Sequence, residues 1–184
     1  MLFRSLLAPF TPHTSEELWT KYGGNAFVSE AEWPKYDENR VSLEIEKSEE
    51  LVQNTINDIK QIKKMLGKNV EKVHIYLAPE WKWDLYKIAN DVGKPDIGQI
   101  MGRAIGAKIY DDKKEIAQVA KKIGREITKT RYIGKINENQ ILTDAIDYIK
   151  EECGNEVIIH NDDSYDPENK AKNAMPYKPA IFME

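Results

Sequence analysis

Three histidines, His13, His74 and His160, are the first candidates for chemistry in this 184-residue sequence, and their spacing argues against it. They lie far apart, with no carboxylate or cysteine at metal-ligand intervals. His74 falls at an alternating position in a β-branched run, where a structural histidine is the ordinary outcome. No G-x-x-x-x-G-K-[ST] loop and no G-x-G-x-x-G turn is present. Positive charge is the better-organised feature. Over 113–129, Ile116, Val119, Ala120, Ile123 and Ile127 fall on one side of a helical wheel, while Lys114, Lys121, Lys122, Arg125 and Lys129 fall opposite, with Arg131 just beyond. Such a stripe can follow a phosphate backbone, each neutralised phosphate adding salt dependence. A charge run alone is more often a solvated helix face. Lys60, Lys63, Lys64 and Lys68 form a second basic cluster, which the helix dipole alone would favour at a C-terminus.

The elements that must position these residues follow from periodicity and punctuation. Prolines 9 and 12 interrupt the helical signals of residues 1–22. Thr14 or Ser15 is expected to cap the second helix, with Glu16 and Glu17 in its first turn. Residues 1–7 read as the end of a helix rather than a signal peptide. Gly23-Gly24 ends the helical segment and Trp33-Pro34 follows in a loop. Residues 41–46 alternate with period two, predicting a half-buried strand, and Ser48 is expected to cap a helix to Leu66. Strands are expected over 70–77, 156–160 and 179–182, and a helix opening at Pro79 with Trp81 and Trp83 as core. A short helix over 96–105 is expected to be broken by Gly98 and Gly102; 138–151 reads as one amphipathic helix and 161–178 as a polar surface loop. Interleaved strands and helices imply an α+β protein with a small two-layer α/β domain.

Composition sets outer bounds. Lys and Arg number 27 against 31 Asp and Glu, a net charge of −4, so any nucleic-acid surface must arise from local segregation of charge. The single cysteine, Cys153, fits a reduced, cytosolic compartment and reads as a buried thiol. No apolar run approaches the roughly 20 residues of a membrane helix. The last residues, Ile181, Phe182 and Met183, are too apolar to be left free; an edge strand or a docked tail would cover them.

Leu6-Leu7-Ala8-Pro9-Phe10-Thr11-Pro12-His13 followed by Glu16-Glu17-Leu18-Trp19 resembles the helical anticodon-binding domain of class I aminoacyl-tRNA synthetases of the leucine, isoleucine and valine group, most closely the leucine type. The run Val73 to Trp83 resembles the C-terminal domain of archaeal and eukaryotic-type leucyl-tRNA synthetases. Lys64-Met65-Leu66-Gly67-Lys68 is only superficially similar to the mobile K-M-S-K-S loop of class I synthetases, because it ends an amphipathic helix.

The resemblance implies a fragment with two parts: residues 1–39 as the end of the anticodon-binding domain and linker, with the Trp packing back on it, and 40–184 as a C-terminal tRNA-binding domain. It implies that the parent joins leucine to tRNA-Leu with ATP and Mg2+, whereas this piece needs no cofactor and holds no catalytic residue. Expected partners are tRNA-Leu, through its variable arm and elbow, the catalytic body of the synthetase, and possible translation-factor or synthetase-complex proteins, all cytoplasmic. The RNA-binding residues it favours are the two lysine-rich sets above together with Ile181, Phe182 and Glu184, Glu184 acting as an acceptor for base amino groups. Two alternatives stand beside it: the tail of a valyl- or isoleucyl-tRNA synthetase, and a non-catalytic protein-docking module suited by acidic Asp144, Asp147, Glu151 and Glu152.

Overall fold

A computed structural model of the chain describes residues 2–33, 35, 41–67, 70–93, 96–126, 132–161 and 165–184. Two compact units, residues 1–42 and 43–184, are each organised around their own contacts.

In the first unit, α1 (Leu2–Leu7) and α2 (Pro12–Lys21) are separated by a turn in which Phe10 and Thr11 donate their N–H groups to Leu7 O. Pro12 occupies the first turn of α2, where its missing N–H would have no helical partner anyway. The helix therefore begins two to three residues before the expected Thr14 or Ser15 cap. Ser15 is buried inside it, its hydroxyl 3.4 Å from that of Thr11. Glu16 is likewise not a first-turn acid: Oε2 accepts Val28 N–H at 2.8 Å and Oε1 accepts Ser29 N–H at 3.3 Å, capping a short 3-10 helix, Val28–Glu30. Trp19 is buried, and its Nε1 donates to Asn25 O. The indole lies so close to Gly24 that a Cβ there would fall 2.3 Å from Nε1. Trp33, expected to pack back on this unit, is 62% exposed instead; Pro34 lies outside the described residues.

The second unit opens with a long helix, α3 (Leu43–Leu66), where alternation had suggested a strand over 41–46. The apolar positions responsible for the alternation, Leu43 and Ile45, are exposed, so no buried strand face existed to enforce period two. The i, i+4 stripe of Leu51, Thr55 and Ile59, joined by Val52 and Ile56, is buried and extends the helix backwards. Ser48 is accordingly no cap: its hydroxyl donates to Glu44 O within the helix.

Next come β1 (Lys72–Tyr76), α4 (Glu80–Val92, with Pro79 at the N-cap and Gly93 at φ 69° closing it), α5 (Ile97–Gly106) and α6 (Lys113–Glu126). Helix α5 runs unbroken through Gly98 and Gly102. Asp96 caps it by accepting Gln99 N–H at 3.0 Å, and Ile100 and Ala104 are fully buried. That burial outweighs the roughly 1 kcal/mol each interior glycine costs. The expected helix over 138–151 is two, α7 (Glu138–Asp144) and α8 (Ile146–Cys153), interrupted at Ala145.

Strands β2 (Glu156–His160) and β3 (Ala180–Met183) flank β1 in the order β2-β1-β3, β2 parallel and β3 antiparallel to it. Val73, Ile75, Val157, Ile159, Ile181 and Met183 pack into the core formed with the helices. The opposite face carries His74, Tyr76, His160, Ala180 and Phe182. The unit is thus a helix-rich α+β domain on a small mixed sheet.

The segment leading to β3 is more than a surface loop, since Ala174, Met175 and Tyr177 are buried. Lys82, itself only 1% exposed, donates from Nζ to Lys172 O and Ala174 O at 2.8 Å each. Glu138, 4% exposed, accepts Tyr177 N–H at 2.7 Å, and Tyr177 donates its hydroxyl to Gly134 O. Two buried ionisable side chains therefore strap this segment to the helices.

Candidate nucleic-acid interface

Helix α6 separates its faces as the wheel predicts. Ile116, Val119, Ala120 and Ile123 are buried, and Lys114, Lys121, Lys122 and Arg125 are exposed. Asp112 fixes its start by accepting Lys114 N–H at 2.8 Å and Glu115 N–H at 3.2 Å. Among the described residues, Lys114, Lys121 and Lys122 form no ion pair, so their charges are open to solvent. Arg125 makes an interaction within the fold. Lys129 and Arg131 lie outside the described residues, as does Lys68.

The second lysine cluster is engaged in the fold. Lys60 pairs with Glu152 at 2.5 Å, which raises its pKa through that hydrogen bond. Lys63 donates to Cys153 O at 2.7 Å and Asn155 Oδ1 at 2.6 Å, tying α3 to the turn between α8 and β2. Lys64 is exposed. Cys153 is buried, and burial pushes its thiol pKa up, the opposite of what a nucleophile requires.

Of the tail residues, Ile181 points to the core, while Phe182 takes the outer face of β3 and Glu184 is exposed beyond it. The tail is held as an edge strand, with Glu71 and Lys72 donating N–H to Glu184 O and Glu184 N–H returning to Lys72 O. Trp83 is core, edge-on to Tyr177, and Trp81 is half-buried, stacked on Tyr110 with centroids 4.3 Å apart. Neither tryptophan is a free stacking platform.

What the sequence did not reveal is a cluster on the outer sheet face. The parallel register brings His74 Nδ1 within 2.8 Å of His160 Nε2, although 86 residues separate them. Tyr165 and Phe182 close around the pair. The only sequence signal was the alternation of the two strands, which names the shared face but not the register. No group of three or more potential metal ligands occurs among the described residues.

Comparison with known proteins gives this arrangement its class. Residues 3–76 match the family model of the anticodon-binding domain of tRNA ligase, a match that runs from the first unit through α3 and β1. The chain is 49% identical over 179 residues to the leucine–tRNA ligase of Methanothermobacter thermautotrophicus, 39% identical over 181 residues to that of Pyrococcus furiosus and 38% over 181 to that of Pyrococcus horikoshii. Each match covers 97% of this chain but only 18 to 19% of the relative. The class these matches define is the tRNA ligases, of which this chain carries a segment matching the anticodon-binding domain. The chain belongs to the archaeal leucine–tRNA ligase family and spans about a fifth of the length of those relatives.

Proposed function

We propose that this chain binds and discriminates tRNA-Leu, chiefly through the variable arm and the elbow, in support of ATP-dependent leucylation carried out elsewhere in the cytoplasmic parent enzyme. The observation that carries the reading is α6: a helix anchored by Ile116, Ala120 and Ile123 at 0% exposure, with three lysines on its outer side that form no ion pair among the described residues. An apolar anchor fixes the direction of the charges, and phosphates in an RNA helix are what such charges match without sequence preference. Lys114, Lys121, Lys122 and Arg125 would give affinity, with Lys64, Lys129 and Arg131 extending the field. Phe182 and Glu184 would give selectivity by stacking on, and accepting from, an unpaired base. Lys60, Lys63 and Ile181 would act through the fold.

ATP and Mg2+ would be handled by the catalytic body, as would leucine. Contact with that body is favoured by one further feature, a groove of about 500 Å3 lined by Val52, Ile141, Ala145 and Tyr148 among polar neighbours. Hydroxyl-radical footprinting of tRNA-Leu on the full-length protein tests the proposal. Shielding of variable-arm and elbow sugars is expected, and shielding confined to the acceptor stem and anticodon would overturn it.

A further inference from the structure

The outer face of the sheet presents two rows across its three strands, Ile158–His74–Phe182 and His160–Tyr76–Ala180. The imidazoles of His74 and His160 meet edge to edge, their centroids 5.1 Å apart and their planes 17° from parallel as the shared hydrogen bond requires, and the Tyr76 ring lies 5.1 Å from that of His160 at 18°. Tyr165 lies over His74 at 5.0 Å, and its carbonyl accepts the Tyr76 hydroxyl at 2.6 Å. Its own hydroxyl donates to Glu184 Oε2 at 2.8 Å.

One atom in this cluster stands out. His74 is 3% exposed, and its Nε2 is the one buried side-chain nitrogen or oxygen without a hydrogen-bond partner among the described residues. It lies 3.5 Å from Glu184 Oε1, with Lys72 Nζ 4.0 Å from the same oxygen.

For two neutral imidazoles, the proton positions follow from elimination. Were His74 Nδ1 the donor to His160, its Nε2 would carry a lone pair facing a carboxylate oxygen, two acceptors opposed in a buried place. The arrangement without that conflict has His160 Nε2–H donating to His74 Nδ1, which leaves the His74 proton on Nε2, 3.5 Å from Glu184 Oε1. The Tyr165 hydroxyl then hydrogen-bonds one carboxylate oxygen, and His74 Nε2 lies 3.5 Å from the other without forming a hydrogen bond. The Tyr165 hydroxyl, the nearer donor, holds the Glu184 carboxyl below its ordinary pKa, with His74 and Lys72 acting in the same sense. Each carboxylate oxygen retains a second lone pair directed outward.

We propose that Tyr165 and His74 are positioning residues that hold the Glu184 carboxylate oriented so that its outward lone pairs accept hydrogen bonds from an unpaired RNA base. This rests on the tail reading given above and adds to it the groups that prepare the acceptor. A free Glu side chain must lose rotamer freedom on binding, whereas one already held by the Tyr165 hydroxyl, with His74 Nε2 3.5 Å from its other oxygen, has less left to lose. The competing account is a purely structural stitch, in which the same contacts only keep β3 on the sheet.

A mutant cycle separates the two, using the full-length protein and a tRNA-Leu transcript as the probe. Tyr165→Phe keeps the ring that stacks on His74 and removes only the hydroxyl. We expect Glu184→Gln to weaken binding, and Tyr165→Phe to weaken it about 2- to 10-fold, the range of one net hydrogen bond. On the Glu184→Gln background, Tyr165→Phe should cost nothing further. His74→Gln, which offers an amide N–H close to where Nε2–H sits, should recover most of the affinity that His74→Leu loses. Equal losses from Tyr165→Phe on both backgrounds, or no loss where Glu184→Gln gives one, would overturn the positioning role alone. An unchanged affinity in Glu184→Gln would overturn the tail reading and the positioning role with it.

Discussion

Neutralising Lys114, Lys121 and Lys122 together to Gln tests whether α6 meets a phosphate backbone. All three side chains are exposed and none is ion-paired among the described residues, while the anchoring Ile116, Val119, Ala120 and Ile123 stay untouched. Gln has nearly the helix propensity of Lys, so the far-UV circular dichroism and melting curve should not move. Arg125 is left alone because it makes an interaction within the fold. Each phosphate contact contributes about 0.9 to the slope of log K against log salt on a double helix, so losing three flattens it by roughly 2.7. Over a fourfold rise in salt, wild-type should lose about 40-fold more affinity than the variant from those contacts alone. Equilibrium binding of a tRNA-Leu transcript across that range gives both slopes directly. Equal slopes and affinities in a folded variant would refute the assignment of α6 to the interface.

Glu138 is held up to a pKa of about 7 by burial, despite two backbone N–H donors pulling it down. A folded carboxyl that titrates above its unfolded value of about 4.5 adds stability at low pH and loses it as pH rises through 7, about 3 kcal/mol in all. The melting temperature should therefore fall between pH 5 and pH 8 as this group ionises, and Glu138→Gln should flatten that dependence; an unaltered profile would refute it. Lys82→Met should strand the carbonyls of Lys172 and Ala174, destabilising by about 2 kcal/mol and speeding hydrogen exchange of residues 171–174, with unchanged exchange as the contrary result. Gly24→Ala should drive a methyl group into the Trp19 indole and destabilise the first unit by about 1 to 3 kcal/mol, read as loss of the native Trp19 fluorescence at a lower temperature, whereas an unshifted melt would contradict the close approach.

Legibility in the sequence tracked how local the deciding interaction was. Helix α6 was readable because Ile116, Val119, Ala120 and Ile123 bury one face of the expected period, and strands β1, β2 and β3 because short β-branched or apolar runs, Val73 and Ile75, Val157 and Ile159, and Ile181, pack on the core. Residues 41–46 misled because six residues fit both periods and only burial, absent at Leu43 and Ile45, decides between them. Gly98 and Gly102 suggested a break that tertiary packing of Ile100 and Ala104 overrode. Nothing local marks Lys82 and Glu138 as buried, since their partners are carbonyl and N–H groups of a segment some 40 to 90 residues away. Of the candidate site, the basic face of α6 was visible from spacing, but the links among His74, His160, Tyr165 and Glu184 depend on sheet register and were not.

The most direct test compares binding of tRNA-Leu with binding of the same tRNA lacking its variable arm, each at two salt concentrations. A domain that discriminates through the arm should prefer the intact tRNA at both salts, with the preference retained while the absolute affinity falls. Equal affinities at both salts would reduce the interface to non-specific phosphate contact, and no binding to either RNA would contradict the account outright.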